Sequence, residues 1–439
     1  VIELTTGEIA ELTHGEARVE SVVTGVAIDS RRVTPGDLFV ALAGERADGA
    51  DFADEALAAG AAAALVPRGQ EGAGRIAVDD PLDALAVVAR EVRLRGTASV
   101  VGITGSTGKT STKDILAALL APHTAVVASR QNENNELGVP LTLARIEPMT
   151  GVAVVEMAMR GLGEIAHLAA IARPQIGIVT GVGPVHLELL GTIENVARAK
   201  AELLQALPAD GTAIVPHGEP LLEAHLADLS CTVVSFGTGD GADVQLRAFT
   251  AADGAGQAEI ALRGRTLSVP VNFTARHNAL NLAAAAAAYD SLGLPLDELA
   301  LGSGDVAFSR WRGEEIELPG GGLLIADCYN ANPTSMAAAL RHLSDSAAGR
   351  RRVAVLGDMA ELGAGAGAYH REVGELLAEL GIEVVVAVGP ESRAYGGSWF
   401  ATVAELREAL GDVIEPGDAV LVKASRSIGL EDAVEAIAP

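Results

Sequence analysis

Residues 100–121 read VVGITGSTGKTSTKDILAALLA, an apolar run that passes through a glycine-bearing turn into a helical pattern. A buried strand ending in such a turn brings backbone amides and a helix N-terminus to one point, where partial positive charge meets an anion. Gly105 and Gly108 let the backbone approach a phosphate, and Ser106, Thr107 and Ser111 lie in the same cradle. Lys109 is placed to reach the outer phosphates, and Thr110 offers a hydroxyl to magnesium. The spacing departs from the strict phosphate-loop pattern, because Ile103 stands where that pattern has its first glycine. An ordinary glycine-rich strand-to-helix turn is the alternative.

Around this stretch, from about Thr97 to Val306, apolar runs alternate with helical ones. Ser99–Ile103, Ala125–Ala128, Val152–Glu156, Ile176–Thr180 and Thr212–Val215 predict a mostly parallel sheet with covering helices. In such sheets ligands bind beyond the carboxyl ends of the strands, so the residues just after each strand are the candidates for chemistry. Glu156 ends one strand and can hold magnesium, or be a solvated strand-end carboxylate. His186 follows another in GVGPVHLE, as a site residue or a packed turn residue. A strand-rich insert, Cys231 to Phe273, precedes a helix predicted over Asn278–Tyr289.

Two more blocks flank this one. Before Gly96 lie short strands (Val22–Ile28, Leu38–Leu42, Ala61–Val66, Arg75–Val78) and helices at Ala53–Ala59 and Pro81–Arg95. The last block offers strands Leu323–Cys328, Arg352–Leu356, Glu383–Val388 and Ala419–Lys423, with helices Pro333–Ser346, Ala368–Leu380 and Val403–Leu410 between them. That is a second doubly wound unit. The 439 residues thus divide into three α/β domains, expected at 1–96, 97–308 and 309–439. They are a small mixed α/β domain, a parallel-sheet domain of the P-loop ATPase kind and a Rossmann-like domain.

Composition narrows the partners. With 32 basic and 58 acidic residues the net charge is −26, which excludes a protein that tracks nucleic-acid phosphates or an anionic membrane. An anionic ligand must then meet a local cluster of cations, for which Arg31, Arg46, Lys109, Lys200, Arg312, Lys423 and Arg426 are available. Mean hydropathy is +0.30, yet no charge-free run reaches membrane-spanning length, so membrane insertion is not expected. Cys231 and Cys328 are far apart and form no CxxC. VIELTTGEIAELTHGE has no basic segment followed by an apolar one, and a cytoplasmic location is expected.

Taken in order, GITGSTGKTSTKD, NENNELGVPLTL, VEMAMRGLGEI, GVGPVHLE, ARAKAEL, RHNALN, DCYNANPTSM, LGDMAELG and LVKASRSIGLE resemble the Mur ligases of bacterial cell-wall synthesis. DSRRVTPGDLFVALAGERADG is similar to that family's uridine-nucleotide segment, so the resemblance spans nearly the whole chain. YNANP and GDMAELG look like the member that adds a dipeptide. The resemblance implies ATP as phosphoryl donor, UDP-N-acetylmuramoyl-tripeptide as acceptor, D-alanyl-D-alanine as the incoming amine, and an acyl-phosphate intermediate. It also implies Mg2+, in two ions, and a monomer.

Residue by residue, the resemblance makes Glu156 and His186 metal-site positions alongside Thr110. It makes Lys200 a lysine carbamylated into a metal ligand; by its residues alone it reads as a solvent-facing helix lysine. Asn134 and Asn135 match an asparagine motif near the acyl phosphate, and Asn278 matches an adenine contact or caps its own helix. Arg312 and Asp327 match a phosphate arginine and a ribose carboxylate. Asn330, Asn332, Lys423, Ser425 and Arg426 match substrate contacts, with turn chemistry or surface placement as the alternatives. Ser30, Arg31 and Asp48 match the uridine-nucleotide site, although Arg31 equally suits a solvated turn. Ala50, Ala158, Gly181, Ala326 and Ala424 depart from the family pattern, but none replaces a phosphate, metal or carbamate residue.

Overall fold

Each apolar run that the sequence offers as a strand becomes one, with Val22–Ile28 divided at Thr24. The computed structural model describes residues 2–44, 47–318 and 320–438, so Arg46 of the proposed cation cluster lies outside the described residues. In the N-terminal region β1 (Leu4–Thr5) pairs antiparallel with β2 (Val22–Val23). Beside them β3 (Gly25–Ala27), β4 (Asp37–Val40), β5 (Ala63–Pro67) and β6 (Arg75–Val78) form a parallel sheet in that order. The helix Pro81–Arg95 begins where Asp80 accepts from the Leu82 and Asp83 amides, with Pro81 in its first turn. Its Leu85, Val88, Ala89 and Val92 join Leu38 and Leu65 of this sheet to Val100 and Val155 of the next in one apolar cluster. Burial of that continuous core ties the first two regions together.

The central sheet has nine strands: β7 (Ser99–Thr104), β8 (Ala125–Ala128), β9 (Thr150–Glu156), β10 (Ile176–Val179), β11 (Thr212–Pro216), β12 (Thr232–Gly237), β13 (Val244–Ala252), β14 (Ala255–Leu262) and β15 (Arg265–Val271). Their spatial order is β15-β14-β13-β12-β11-β10-β7-β9-β8. All neighbours pair parallel from β8 to β13, and β13, β14 and β15 form an antiparallel meander. The chain leaves β7 toward one edge, returns as β9, and resumes on β7's other side as β10. Ligand crevices open at such a reversal, here at the ends of β7, β9 and β10.

The C-terminal sheet contains β16 (Glu314–Leu318), β17 (Gly322–Ala326), β18 (Arg352–Gly357), β19 (Val384–Val388), β20 (Ser398–Phe400) and β21 (Ala419–Lys423). Its order is β16-β17-β21-β18-β19-β20, parallel except at β16. The sequence predicts four of these six. The edge strands β16 and β20 escape it, β16 because EEIEL is mostly acidic and β20 because three residues show no period. A helix over Thr6–Leu12 was also unpredicted, although Thr5 and Glu8 form a reciprocal cap at its start. Among the described residues no helix is long and apolar enough to cross a membrane.

Candidate functional site

A cleft of about 1410 Å³ runs between the carboxyl ends of the central and C-terminal sheets. The loop after β7 forms its floor. Gly105 has φ +154°, and a Cβ there would lie 1.9 Å from Thr180 Oγ1; Gly108 has φ +79°, and its Cβ would lie 2.5 Å from Asn281 Oδ1. Only glycine fits either position. Ser106 fastens this loop to the one after β10: its Oγ donates to Gly183 O and accepts from Gly183 N, both at 2.9 Å. The Thr180 hydroxyl donates to Thr107 O, closing the loop on the same neighbour. Ser111, in the first turn of the helix Lys109–Leu120, also lines the cleft.

Lys109 curls over the loop, its Nζ donating to Gly105 O at 2.7 Å. Burial pushes its pKa below the usual lysine range, Glu156 opposes the shift and Arg312 reinforces it. Glu156 is fully buried, and its two carboxylate oxygens accept from Thr110 Oγ1 and Asn134 Nδ2, each at 2.9 Å. Asn135 lines the cleft while its Oδ1 accepts from Gly138 N at 3.0 Å, starting the next helix. Both hydrogen-bond donors to Glu156 are neutral, and among the described residues no cation comes within ion-pair distance of it. Buried carboxylates held this way commonly face a cation.

Lys200 corrects the solvent-facing alternative, because it is only 2% exposed on the helix Ile193–Gln205. Among the described residues it has no hydrogen-bond or ion-pair partner. Burial, with Lys109 adding repulsion, holds its amine well below the ordinary lysine pKa. His186 carries φ +52° and pairs through Nδ1 with Glu361 of the C-terminal domain. Burial lowers the imidazole pKa, Glu361 pulls it back, and Lys109 and Lys200 lower it further.

The opposite wall hangs from Lys423 at the end of β21. Its Nζ, 1% exposed, donates to Asp327 Oδ2 at 2.7 Å, Asn330 O at 2.9 Å and Asp327 O at 3.4 Å. Asn330 turns its own Oδ1 onto Ala331 N. Asn332 starts the helix Pro333–Ser346 by exchanging bonds with Ser335, and its Nδ2 reaches Ser106 O at 3.3 Å. Turn chemistry and contact with the phosphate loop therefore coexist in that residue. Ser425 Oγ accepts from Ala360 N at 2.9 Å. Arg312 stacks over Tyr329 at 3.9 Å, and Arg426 pairs with Glu431 while lying near Trp311.

Not every proposed residue meets in this cleft. Asn278 is buried in the first turn of the helix Arg276–Ser291, accepts from Asn281 Nδ2 at 3.0 Å and does not cap that helix, which starts after Ala275. Its neighbours His277 and Asn281 line the cleft instead. Ser30, Arg31 and Asp48 stay in the N-terminal domain, just beyond β3 and β4. Arg31 is held by Asp29, and Asp48 Oδ1 accepts from Ala50 N at 3.0 Å. Sequence reasoning missed Glu361, Thr180 and Asn281. GDMAELG carried a hint of Glu361, as a polar loop after β18, but its partners His186 and Arg160 are remote in sequence.

A Mur ligase middle-domain profile matches residues 103–289, a Mur ligase glutamate-ligase-domain profile residues 311–426, and a Mur ligase family catalytic-domain profile residues 22–93. The chain belongs to the Mur ligase family. It is 34% identical to UDP-N-acetylmuramoyl-tripeptide--D-alanyl-D-alanine ligase of Bacillus subtilis (strain 168), over 99% of this chain and 98% of that one. A crystal structure of MurF from Acinetobacter baumannii superposes with TM-score 0.89 at 29% identity, covering 99% of this chain and 98% of that one. MurF ligase from Thermotoga maritima in complex with ADP gives TM-score 0.84 at 30% identity, covering 94% and 97%.

Proposed function

We propose that the chain is an ATP-dependent ligase joining D-alanyl-D-alanine to the peptide carboxylate of UDP-N-acetylmuramoyl-tripeptide in peptidoglycan precursor synthesis. The observation that carries this reading is the convergence of the Gly105–Thr110 loop, Glu156, His186, Asp327 and Lys423 in or around one cleft. Relatives of that name support the choice of substrates.

The terminal phosphoryl group of ATP passes to a carboxylate oxygen, releasing ADP and leaving an acyl phosphate. The dipeptide amine then attacks the acyl carbon; the carbon–oxygen bond breaks, phosphate leaves, and the amine gives up a proton. Both steps gather negative charge, so the protein's part is positioning and electrostatic stabilisation. Lys109 and the amides of residues 105–111 receive the phosphates. Asn134 and Asn135 line the acyl-phosphate end. Asp327 and Arg312 take the ribose and a phosphate, and Asn278 holds its helix behind the adenine. Asn330, Asn332, Lys423, Ser425 and Arg426 face the peptide substrates.

Thr110 and Glu156 suit magnesium, since hydroxyl and carboxylate oxygens fit a hard cation, and His186 would add an imidazole nitrogen beside them. Among the described residues no group of three or more His, Cys, Asp or Glu is placed to hold a metal ion by itself. An ion, or two, would therefore depend on substrate phosphates and water for most of its ligands. Magnesium there would offset charge on the transferring phosphoryl group. Carbamylation of Lys200 is supported by its buried, partnerless amine, because carbon dioxide adds to the neutral form. The domains are assigned to residues 1–96 for the uridine nucleotide (with Ser30, Arg31 and Asp48), 97–308 for ATP and 309–439 for closure. A monomer in the cytoplasm, where its substrates are made, belongs to the same proposal.

ADP release measured with the UDP-linked tripeptide and a panel of amino acids and dipeptides tests the reading. Mass spectrometry should show both alanines in the product. Equal or faster turnover with single amino acids would assign a sibling ligase, and ADP release without any amine would point to a nucleotide-driven switch.

A further inference from the structure

Two residues with left-handed backbone meet across the boundary between the central and C-terminal domains: His186 at φ +52° and Glu361 at φ +62°. Neither is glycine, and such conformations persist only where the surroundings hold them. Glu361 is held on both sides. Within its own domain, Met359 N donates to His370 Nε2 at 3.0 Å and Ala360 N to Ser425 Oγ at 2.9 Å. Across the boundary, Glu188 N donates to Glu361 O at 3.2 Å. Its carboxylate is divided between two central-domain partners, Arg160 Nη2 at 2.9 Å on Oε1 and His186 Nδ1 on Oε2.

We propose that Glu361 is a positioning residue for His186. On docking of the C-terminal domain, its carboxylate fixes the imidazole as the Nδ1–H tautomer and leaves the Nε2 lone pair free for the reaction site. The geometry requires the first half: a carboxylate oxygen on Nδ1 accepts a hydrogen bond from that nitrogen, so a neutral ring keeps its proton on Nδ1 and carries none on Nε2. Among the described residues His186 Nε2 has no hydrogen-bond partner, while the ring lines the cleft. A carboxylate behind an imidazole also orients the ring and raises its basicity as a ligand. Because that carboxylate belongs to the other domain, the imidazole is set only when the two walls of the cleft are together. The inference rests on reading His186 as part of the ligation site.

The rival is that Glu361 merely ties the domains, and Arg160 separates the two. Arg160 binds the same carboxylate without touching His186, and its side chain is 70% exposed. In the full-length protein, Glu361→Ala should lower kcat by ~10–100-fold with little change in KM for ATP. Glu361→Gln, whose amide oxygen still accepts from Nδ1, should recover most of that loss. Arg160→Ala should stay within about twofold, as for an exposed ion pair.

The second readout does not depend on turnover. Ring-nitrogen NMR of the protein with an ATP analogue and the UDP-linked tripeptide, using His186→Gln to assign one of the nine histidines, should report Nδ1–H at His186. Glu361→Ala should mix the tautomers. An Nε2–H ring in the parent, a tautomer untouched by Glu361→Ala, or equal losses from Arg160→Ala and Glu361→Ala would each overturn the inference. A parent with the expected tautomer but no dipeptide ligation would instead overturn the proposed function and leave this one standing.

Discussion

On the central wall of the cleft the polar groups serve one another across neighbouring strand ends, whereas on the C-terminal wall Asp327 and the Asn330 loop share one buried lysine. Gly105, Ser106, Thr107, Thr110, Glu156 and Thr180 are tied by bonds between β7, β9 and β10, which are themselves adjacent in the sheet. Removing one tie leaves the others. Asp327 and the Asn330 carbonyl share the single ammonium of Lys423. The first wall should therefore keep its shape in the absence of ligand, and the second should be fragile at one point.

The largest effect is expected at Lys200, a buried group beside the central wall whose charge Lys109 and His186 feel and which the wall does not need for folding. Lys200→Ala should cost ~10²–10³-fold in activity, the scale of losing a group that stabilises developing charge. A short carboxylic acid should partly restore turnover, and Lys200→Arg should not. Stability should move little, because the parent already buries an unpaired amine and the helix accepts alanine. Near-parental activity of Lys200→Ala would remove the carbamate from the proposal.

Lys423→Met turns the comparison round, with stability as the readout. It leaves Asp327, whose side chain is 18% exposed, without its cation, at a cost of about 3 kcal/mol. Asp327→Asn added to Lys423→Met should recover part of that loss in denaturant titration. If Lys423→Met unfolds at the parental midpoint, the C-terminal wall does not depend on its lysine.

A smaller, pH-dependent term lies between the walls. Burial, helped by His342 and Lys423 and opposed by Asp327, depresses His277 from 6.5 to about 4. As pH falls through 6.5 the unfolded chain takes up the proton first, while the folded chain resists until about 4. Stability from this residue is thus complete above 6.5 and is lost progressively down to about 4. His277→Gln should flatten the difference between denaturation midpoints at about pH 7 and about pH 5. Parallel pH profiles for parent and variant would show that His277 titrates normally.

The same contrast explains what could be read in the sequence. The phosphate loop was legible because strand, turn and helix are contiguous, and their residue types carry the chemistry without help. Helix Pro333–Ser346 was legible to the residue, because Asn332 and Pro333 fix its start locally. Lys200 misleads by itself: an Arg–Ala–Lys–Ala–Glu helix looks solvated until the packing against its Lys-bearing face is known, and only the family resemblance marked it. The pairings of Glu361 and Asn281 were not legible, since their partners lie 175 residues away at His186 and 173 away at Gly108. Pairings of that kind are set by how sheets dock, which no local pattern encodes.

The smallest effect probes the seam where the two walls touch. A Cβ at Gly183 would lie 2.6 Å from Thr334 Oγ1 of the C-terminal domain, whereas one at Gly105 would meet Thr180 Oγ1 at 1.9 Å and the Thr180 backbone nitrogen at 3.1 Å. The Thr334 hydroxyl ends a side chain that can rotate; the Thr180 backbone cannot yield without moving β10's end. Gly183→Ala should therefore cost under ~1 kcal/mol, read as a few-fold rise in KM for ATP, while Gly105→Ala disables the loop. Adding Thr334→Ala to Gly183→Ala should return KM toward the parent, because the clash is with that one hydroxyl. If the double variant is no better than Gly183→Ala alone, the seam is as rigid as the central wall, and the two sides of the cleft behave as one body.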